Sequence, residues 1–205
     1  MQLYIPNSKK MKKIIITVLL ILGFNAFSQV RVRSNFELAP VIGIANSSYY
    51  GDSKIDDTSV TSINMGINAD YFLNSNWSIR SGLFLQTMGA EYREFFDYEE
   101  TLKYITIPLN ANRHFGKTRK WNLNFGPSFG FLISADRNGD DIKDKLQSFQ
   151  LGLNAGLGYK IEISNKFSIL VDYQGMSALT SAGQTSFATI KNAYGSLNVG
   201  AVFKL

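Results

Sequence analysis

Phe149–Ile161 reads FQLGLNAGLGYKI, and every second residue in it is apolar or aromatic: Phe149, Leu151, Leu153, Ala155, Leu157, Tyr159 and Ile161. Between them stand Gln150, Gly152, Asn154, Gly156, Gly158 and Lys160. A strand sends alternate side chains to opposite faces, so one face here is apolar and the other small or polar. The run is as long as the roughly 9–11 residues that a tilted strand needs to cross a bilayer. An apolar outer face over a polar inner face, repeated around a closed sheet, is what a membrane β-barrel requires.

The pattern recurs. Eight alternating segments are expected, near 34–45, 61–73, 77–93, 101–115, 121–135, 149–161, 166–176 and 193–205. Their apolar sets include Phe36, Leu38, Ile42 and Ile44 in the first segment and Trp121, Leu123, Phe125, Phe129, Phe131 and Ile133 in the fifth. No stretch carries a sustained apolar period of 3.6, so no long helix is expected. The connections alternate: Asn74–Asn76, Gly116–Lys120 and Ser164–Lys166 are tight, whereas 46–60, 94–100, 136–146 and 177–192 are longer and polar. Outer-membrane barrels have short periplasmic turns and long extracellular loops. An even strand number places both termini on the short-turn side. The expected fold is an all-β, eight-stranded antiparallel up-and-down transmembrane β-barrel. Pro40, Pro108 and Pro127 fall inside strands, where proline removes a ladder donor, and they predict bulges or shifted strand ends.

Aromatic residues cluster beside the tight turns. Tyr71, Trp77, Phe115, Trp121, Tyr159 and Phe167 predict a periplasmic interfacial girdle. Tyr92, Tyr104, Phe131, Phe149 and Tyr194 are candidates for the opposite one.

Residues 1–28 read as an export address. Lys9, Lys10, Lys12 and Lys13 precede the apolar run Ile14–Leu22, which is too short to span a bilayer as a helix. Ala26 and Ser28 supply small residues before a cleavage site, as in a Sec signal peptide, and Met11 is an alternative start. The mature domain is then 29–205. Of 21 basic residues four lie in the address, which has no acid, leaving 17 against 16 acidic residues. The high isoelectric point therefore belongs largely to the address, and nucleic acid is not an expected partner. Cysteine is absent, which excludes disulfides, a thiol nucleophile and a lipoprotein anchor.

Several stretches resemble the PorT-like outer-membrane β-barrel family of Gram-negative bacteria. Tyr104-Ile105-Thr106-Ile107-Pro108-Leu109 is similar to that family's Tyr-x-x-Ile-Pro-Leu strand. Asn124-Phe125-Gly126-Pro127, Gly152–Tyr159 and the closing Gly200–Leu205 resemble its later strands. The resemblance spans nearly all of the mature chain. It implies an outer-membrane location, contact with membrane lipids, and recognition of the apolar last residue by the barrel-insertion machinery. Some members of the family assist protein secretion.

Three features bear on chemistry. His114 is the only histidine, and its neighbouring turn has no serine. Gly126-Pro127-Ser128-Phe129-Gly130 matches G-x-S-x-G, but that motif needs a strand-to-helix elbow and here lies within a strand. The acidic loop Asp136–Asp144 (DRNGDDIKD) offers oxygen ligands at alternate positions but lacks the later bidentate glutamate of an EF-hand. No catalytic residues, metal site or cofactor are expected. Glu94, Asp97, Glu99 and Glu100, interleaved with Phe95, Phe96 and Tyr98, form either a partner-binding loop tip or a strand extension above the membrane.

The expected function is therefore non-catalytic, structural or interaction-based, and accessory to secretion or envelope assembly. A soluble lipocalin-like carrier of small apolar ligands and an outer-membrane lipid-modifying enzyme are the alternatives. A lipocalin-like interior should be apolar, whereas the inward positions here include Asn64, Asn68, Asn122, Asn124, Asn154 and Asn198. The tight turns also predict contacts. A three-residue turn at Asn74–Asn76 sets Asp70 opposite Arg80 on the inner face. The count about Asn165 makes Lys160 and Asp172 diagonal neighbours. Glu37 and Lys204 fall inward where the first and last strands meet. These six residues are expected to form a polar network in the periplasmic half of the lumen, because buried charges need partners.

Overall fold

The computed structural model describes residues 36–51, 57–93, 97–183 and 190–205. Residues 1–28, where an export address is expected, and the loop residues Glu94, Phe95 and Phe96 lie outside the described residues. Eight long strands are present: β1 (Phe36–Gly51), β2 (Asp57–Phe72), β3 (Trp77–Arg93), β4 (Asp97–Phe115), β5 (Trp121–Arg137), β7 (Phe149–Glu162), β8 (Phe167–Ala178) and β9 (Ile190–Lys204). A two-residue strand β6 (Asp140–Asp141) hangs from β5 in the loop that follows it. Each long strand pairs antiparallel with the next, and β9 pairs with β1, so the sheet closes into an eight-stranded barrel.

The tight turns set the register. The Asn74 side-chain oxygen accepts hydrogen bonds from the backbone N–H groups of Asn76 and Trp77 at 2.9 and 3.0 Å. This Asx turn aligns Tyr71 with Ile79 and Asp70 with Arg80. Ser164 Oγ accepts from the Phe167 amide at 3.1 Å in the equivalent turn between β7 and β8.

At the short-turn side the strand ends match the sequence pattern closely. At the other side most run further than the apolar pattern does. On the outward face of β4, Ile105, Ile107, Leu109 and Ala111 give way to Lys103 and Glu99. The apolar band is thus shorter than the strand, and Glu99 and Glu100 sit on a strand extension beyond it.

The prolines do not bulge. Register is constant on both sides of Pro40, Pro108 and Pro127, and the ladder only skips a pair of rungs beside each. Ser81 Oγ donates to the Pro108 carbonyl at 2.8 Å, filling one such gap. The irregularities lie elsewhere, between Ser59 and Met65 on β2 and between Lys103 and Tyr104 on β4. At the first, Gly89 of β3 has φ +153°, and a Cβ there would collide with the Glu100 carbonyl oxygen. Only glycine fits. Its freed backbone groups are not orphaned, because Ser47 Oγ on β1 donates to the Gly89 carbonyl at 3.0 Å and accepts from its N–H at 2.9 Å.

Large apolar residues cover the outside, among them Ile42, Ile44, Ile63, Leu83, Phe125, Leu153 and Leu197. A soluble barrel does not expose a continuous apolar band of this kind. Aromatic rings pack together beside the short turns. Trp121 lies 4.8 Å from the Tyr159 ring and 6.4 Å from Phe115, while Phe167 meets Phe203 at 5.4 Å. Arg113 sits over Trp77. At the opposite end Phe131 and Phe149 do face outward and pack together at 5.6 Å. Tyr104 and Tyr194 do not: both are buried inside the barrel, so they are not girdle residues. The Tyr92 side chain lies outside the described residues.

Candidate functional site

The lumen has three storeys. The one nearest the long loops is apolar rather than polar. Met88, Leu102, Tyr104, Leu132, Met176 and Tyr194 pack into one cluster there, and Ile142 reaches in from the β6 loop. Inward positions near this end alternate with outward ones like all the others, but they carry methionine, leucine and tyrosine. At its edge Glu100 accepts from Tyr49 Oη at 2.6 Å and from Arg137 Nε at 2.7 Å.

The storey nearest the short turns is ionic. Arg80 is 2% exposed. Its Nε and Nη2 donate to Asp70 Oδ2 at 3.0 and 2.8 Å. Nη1 reaches Asn122 Oδ1 at 3.3 Å and stands 3.6 Å from Asp172 Oδ2. The other oxygen of Asp70 accepts from Ser78 Oγ and Asn112 Nδ2, both at 2.8 Å. Lys160 Nζ donates to Glu37 Oε2 at 2.6 Å and lies over the Phe72 ring. Charges this deep are tolerated because each has a partner and further hydrogen bonds.

The predicted residues therefore come together, with partners that differ in part from those the turns suggest. Asp70 does face and bind Arg80. Lys160 and Asp172 are diagonal neighbours, since Gly158 opposes Asp172 and Lys160 opposes Leu170. Across the lumen, however, Lys160 pairs with Glu37 and Asp172 with Arg80. Lys204 opposes Glu37 in the ladder, but its ammonium turns to the exposed Glu162 at 3.6 Å, and its side chain stays 25% exposed. Lys204 thus belongs to the mouth of the barrel and not to the buried network.

Spacing along the sequence isolates His114 from any serine, yet Ser78 Oγ lies 2.9 Å from His114 Nε2. The β3–β4 register makes this contact: Ser78 opposes Asn112, one inward position from His114. Ser78 has one hydroxyl proton, and it goes to Asp70. The hydroxyl is therefore left to accept from His114 Nε2–H, which is the reverse of what a general base does for a nucleophile. The imidazole also stacks on Phe72 at 4.8 Å. This arrangement holds charges still and lacks the acid–base–nucleophile order of a triad. Ser128 lies within β5, opposite Pro108 and Gly152, with no helix after it.

The acidic loop is a hairpin. Asn138 and Gly139 have φ of 52° and 94°, the left-handed pair of a two-residue turn that sets Arg137 opposite Asp140. Its oxygens serve the backbone: Asp136 Oδ1 accepts from the Gly139 amide at 2.8 Å, and Asp141 Oδ1 from Lys143 at 2.9 Å. Among the described residues no cluster of three or more His, Cys, Asp or Glu side chains could hold a metal. The Asn-Gly pair was the signal in the sequence for this turn.

Between the two filled storeys lies a polar cavity of about 40 Å³, whose lining includes Asn64, Arg80, Thr106, Asn110, Asn154 and Asn198. Phe84 forms part of its wall, and fits because Gly66 faces it: a Cβ at Gly66 would stand 2.5 Å from the Phe84 ring.

Solved barrels share this architecture. Neisserial surface protein A aligns with a TM-score of 0.51 at 16% identity, covering 84% of this chain and 98% of that one. The outer membrane protein OprG from Pseudomonas aeruginosa aligns with a TM-score of 0.57 at 11% identity over the same shares. At such identities the likeness is one of fold. No curated protein matches the chain in sequence. A family model for the outer membrane protein beta-barrel domain matches residues 18–184, which is most of the sequence. The chain thus belongs to the outer membrane protein beta-barrel domain family, and it is a closed eight-stranded outer-membrane barrel.

Proposed function

We propose that the protein is a PorT-like, non-conducting and non-catalytic barrel, exported by the address at 1–28, that acts through its long-loop end as an accessory to secretion or envelope assembly. The observation that carries this reading is the filled lumen. An apolar cluster closes one storey and the Arg80 network closes another. The space between them is only about 40 Å³. An eight-stranded barrel is just wide enough to be filled by side chains, and here they leave only separate cavities of about 40 Å³ in the middle and about 140 Å³ at the short-turn mouth. What is left for interaction is the rim, where β4 carries the exposed Glu99 past the apolar band. Its lipid-facing surface meets outer-membrane lipids, and its closing strand is the element for the insertion machinery.

The test is conductance in planar bilayers. The wild-type barrel should show no steady current. A large, stable, ohmic channel would refute the reading and restore a pore.

A further inference from the structure

The middle cavity, bounded on one side by the Arg80 guanidinium, carries several buried side-chain oxygens without a partner among the described residues. Asn198 Nδ2 donates to Asp172 Oδ1 at 3.0 Å. Asp172 is a carboxylate and only accepts, which fixes the Asn198 amide with its oxygen the other way. That oxygen accepts from Asn64 Nδ2 at 2.9 Å, and Asn64 Oδ1 is left facing the cavity with no partner among the described residues. A second relay runs the same way. Asn124 Nδ2 donates to the Gly156 carbonyl at 3.3 Å, Asn110 Nδ2 donates to Asn124 Oδ1 at 2.8 Å, and Asn110 Oδ1 is left unpartnered among the described residues. Both relays start at an acceptor-only anchor, so both end in a carbonyl oxygen. Asn154 Oδ1 and Thr106 Oγ1 line the same space and also lack a partner among the described residues. Asn64, Asn110 and Thr106 are each at most 3% exposed.

The ionic storey beside the cavity is unbalanced. Glu37, Asp70 and Asp172 stand against Arg80 and Lys160. Three carboxylates against two cations leave one negative charge over, counting the imidazole of His114 as neutral.

We propose that the cavity is a binding site for one monovalent metal cation of the sodium or potassium class. The unpartnered oxygens call for a donor or a cation, and the surplus charge favours the cation. The volume excludes an organic ligand, since a single water already needs roughly 10–15 Å³. A divalent ion favours a site with free carboxylate ligands. Here both carboxylates nearest the cavity are engaged, Asp70 by Arg80 and Asp172 by Asn198 and Gln174. Amide oxygens in place of a hydration shell are the ligands a monovalent ion takes in filters.

The experiment measures urea unfolding of the refolded full-length barrel in nonionic micelles, at fixed ionic strength, with choline nitrate exchanged for sodium or potassium nitrate. Choline is too large for the cavity. A ligand bound only by the folded state raises the folding constant in proportion to its concentration once above its dissociation constant. The expected result is a rise of about tenfold for each tenfold in cation, with none for choline. Asn64→Leu removes one oxygen and should move the onset to at least tenfold higher cation. Should that variant not fold, thallium(I) nitrate on the wild type decides. A bound thallium resonance displaced by potassium and not by choline is the expected outcome. Equal stability in all three salts with no bound thallium would mean that the cavity holds water only. An unchanged response in Asn64→Leu would place the cation elsewhere. Either result overturns the proposal.

Discussion

Arg80→Ala is the sharpest perturbation of the ionic storey. Arg80 supplies both hydrogen bonds to Asp70 Oδ2 and the charge facing Asp172 Oδ2. After truncation Asp172 keeps Asn198 and Gln174 as donors. Asp70 keeps Ser78 and Asn112, but both serve Oδ1, so Oδ2 loses both arginine donors. Removing one member of a buried pair costs about 3–5 kcal/mol, because the other charge stays behind. The loss here should fall in that range and arise mainly at Asp70. Adding Asp70→Asn to the Arg80→Ala variant removes the stranded charge and should restore about 1–3 kcal/mol, the typical penalty of an unsatisfied buried group. Folded fraction can be followed by the gel mobility of unheated samples, and independently by the fluorescence of Trp77 and Trp121 across a urea series. A loss under about 1 kcal/mol, or strict additivity of the two substitutions, would show that water and not protein solvates these groups.

Three further outcomes are expected. Leu109→Arg, on the outward face within the apolar band, should cost about 2–4 kcal/mol, whereas Thr101→Arg, towards the long-loop end of the same strand, should cost about 0–1 kcal/mol; equal losses in urea would misplace the band. Gly89→Ala should destabilise by about 2 kcal/mol or more, since its Cβ would meet the Glu100 carbonyl, and a neutral result in the same assay would dismiss the constraint at the bulge. Tags inserted in the connection between β8 and β9 should be labelled on intact cells and tags at Asn74–Asn76 should not, with the opposite pattern reversing the orientation.

How far the sequence reveals the barrel depends on the end of it. Near the short turns, strand limits and cross-strand pairs follow by counting from Ser75, Thr118 and Asn165, because a tight turn admits one register. Asp70 opposite Arg80 is legible for that reason. Near the long loops the outward face turns polar and two irregularities slip the count, so strand ends there outrun the apolar pattern. Tyr104 and Tyr194 show a different failure. Their parity, shared with Asn110 and Asn198, already points inward, but residue type suggests an interface. Contacts across the lumen, such as Lys160 with Glu37 or Arg80 with Asp172, are invisible to strand counting because they join strands that share no ladder. The Ser78–His114 contact needs the β3–β4 register, which counting cannot supply while 94–100 reads as a longer polar connection.

Those ties across the lumen bear on the order of assembly. Arg80–Asp172 joins β3 to β8 and Lys160–Glu37 joins β7 to β1. Neither can form in an open sheet in which β9 has not yet met β1. Until the first and last strands meet, the carboxylates and cations of an open sheet would be stranded against lipid, where unmatched charge is most costly. Closure is thereby made all-or-none: the chain gains little by inserting strand by strand and much by shutting in one late event. Weakening these ties should then speed opening of the finished barrel far more than it slows the approach to it.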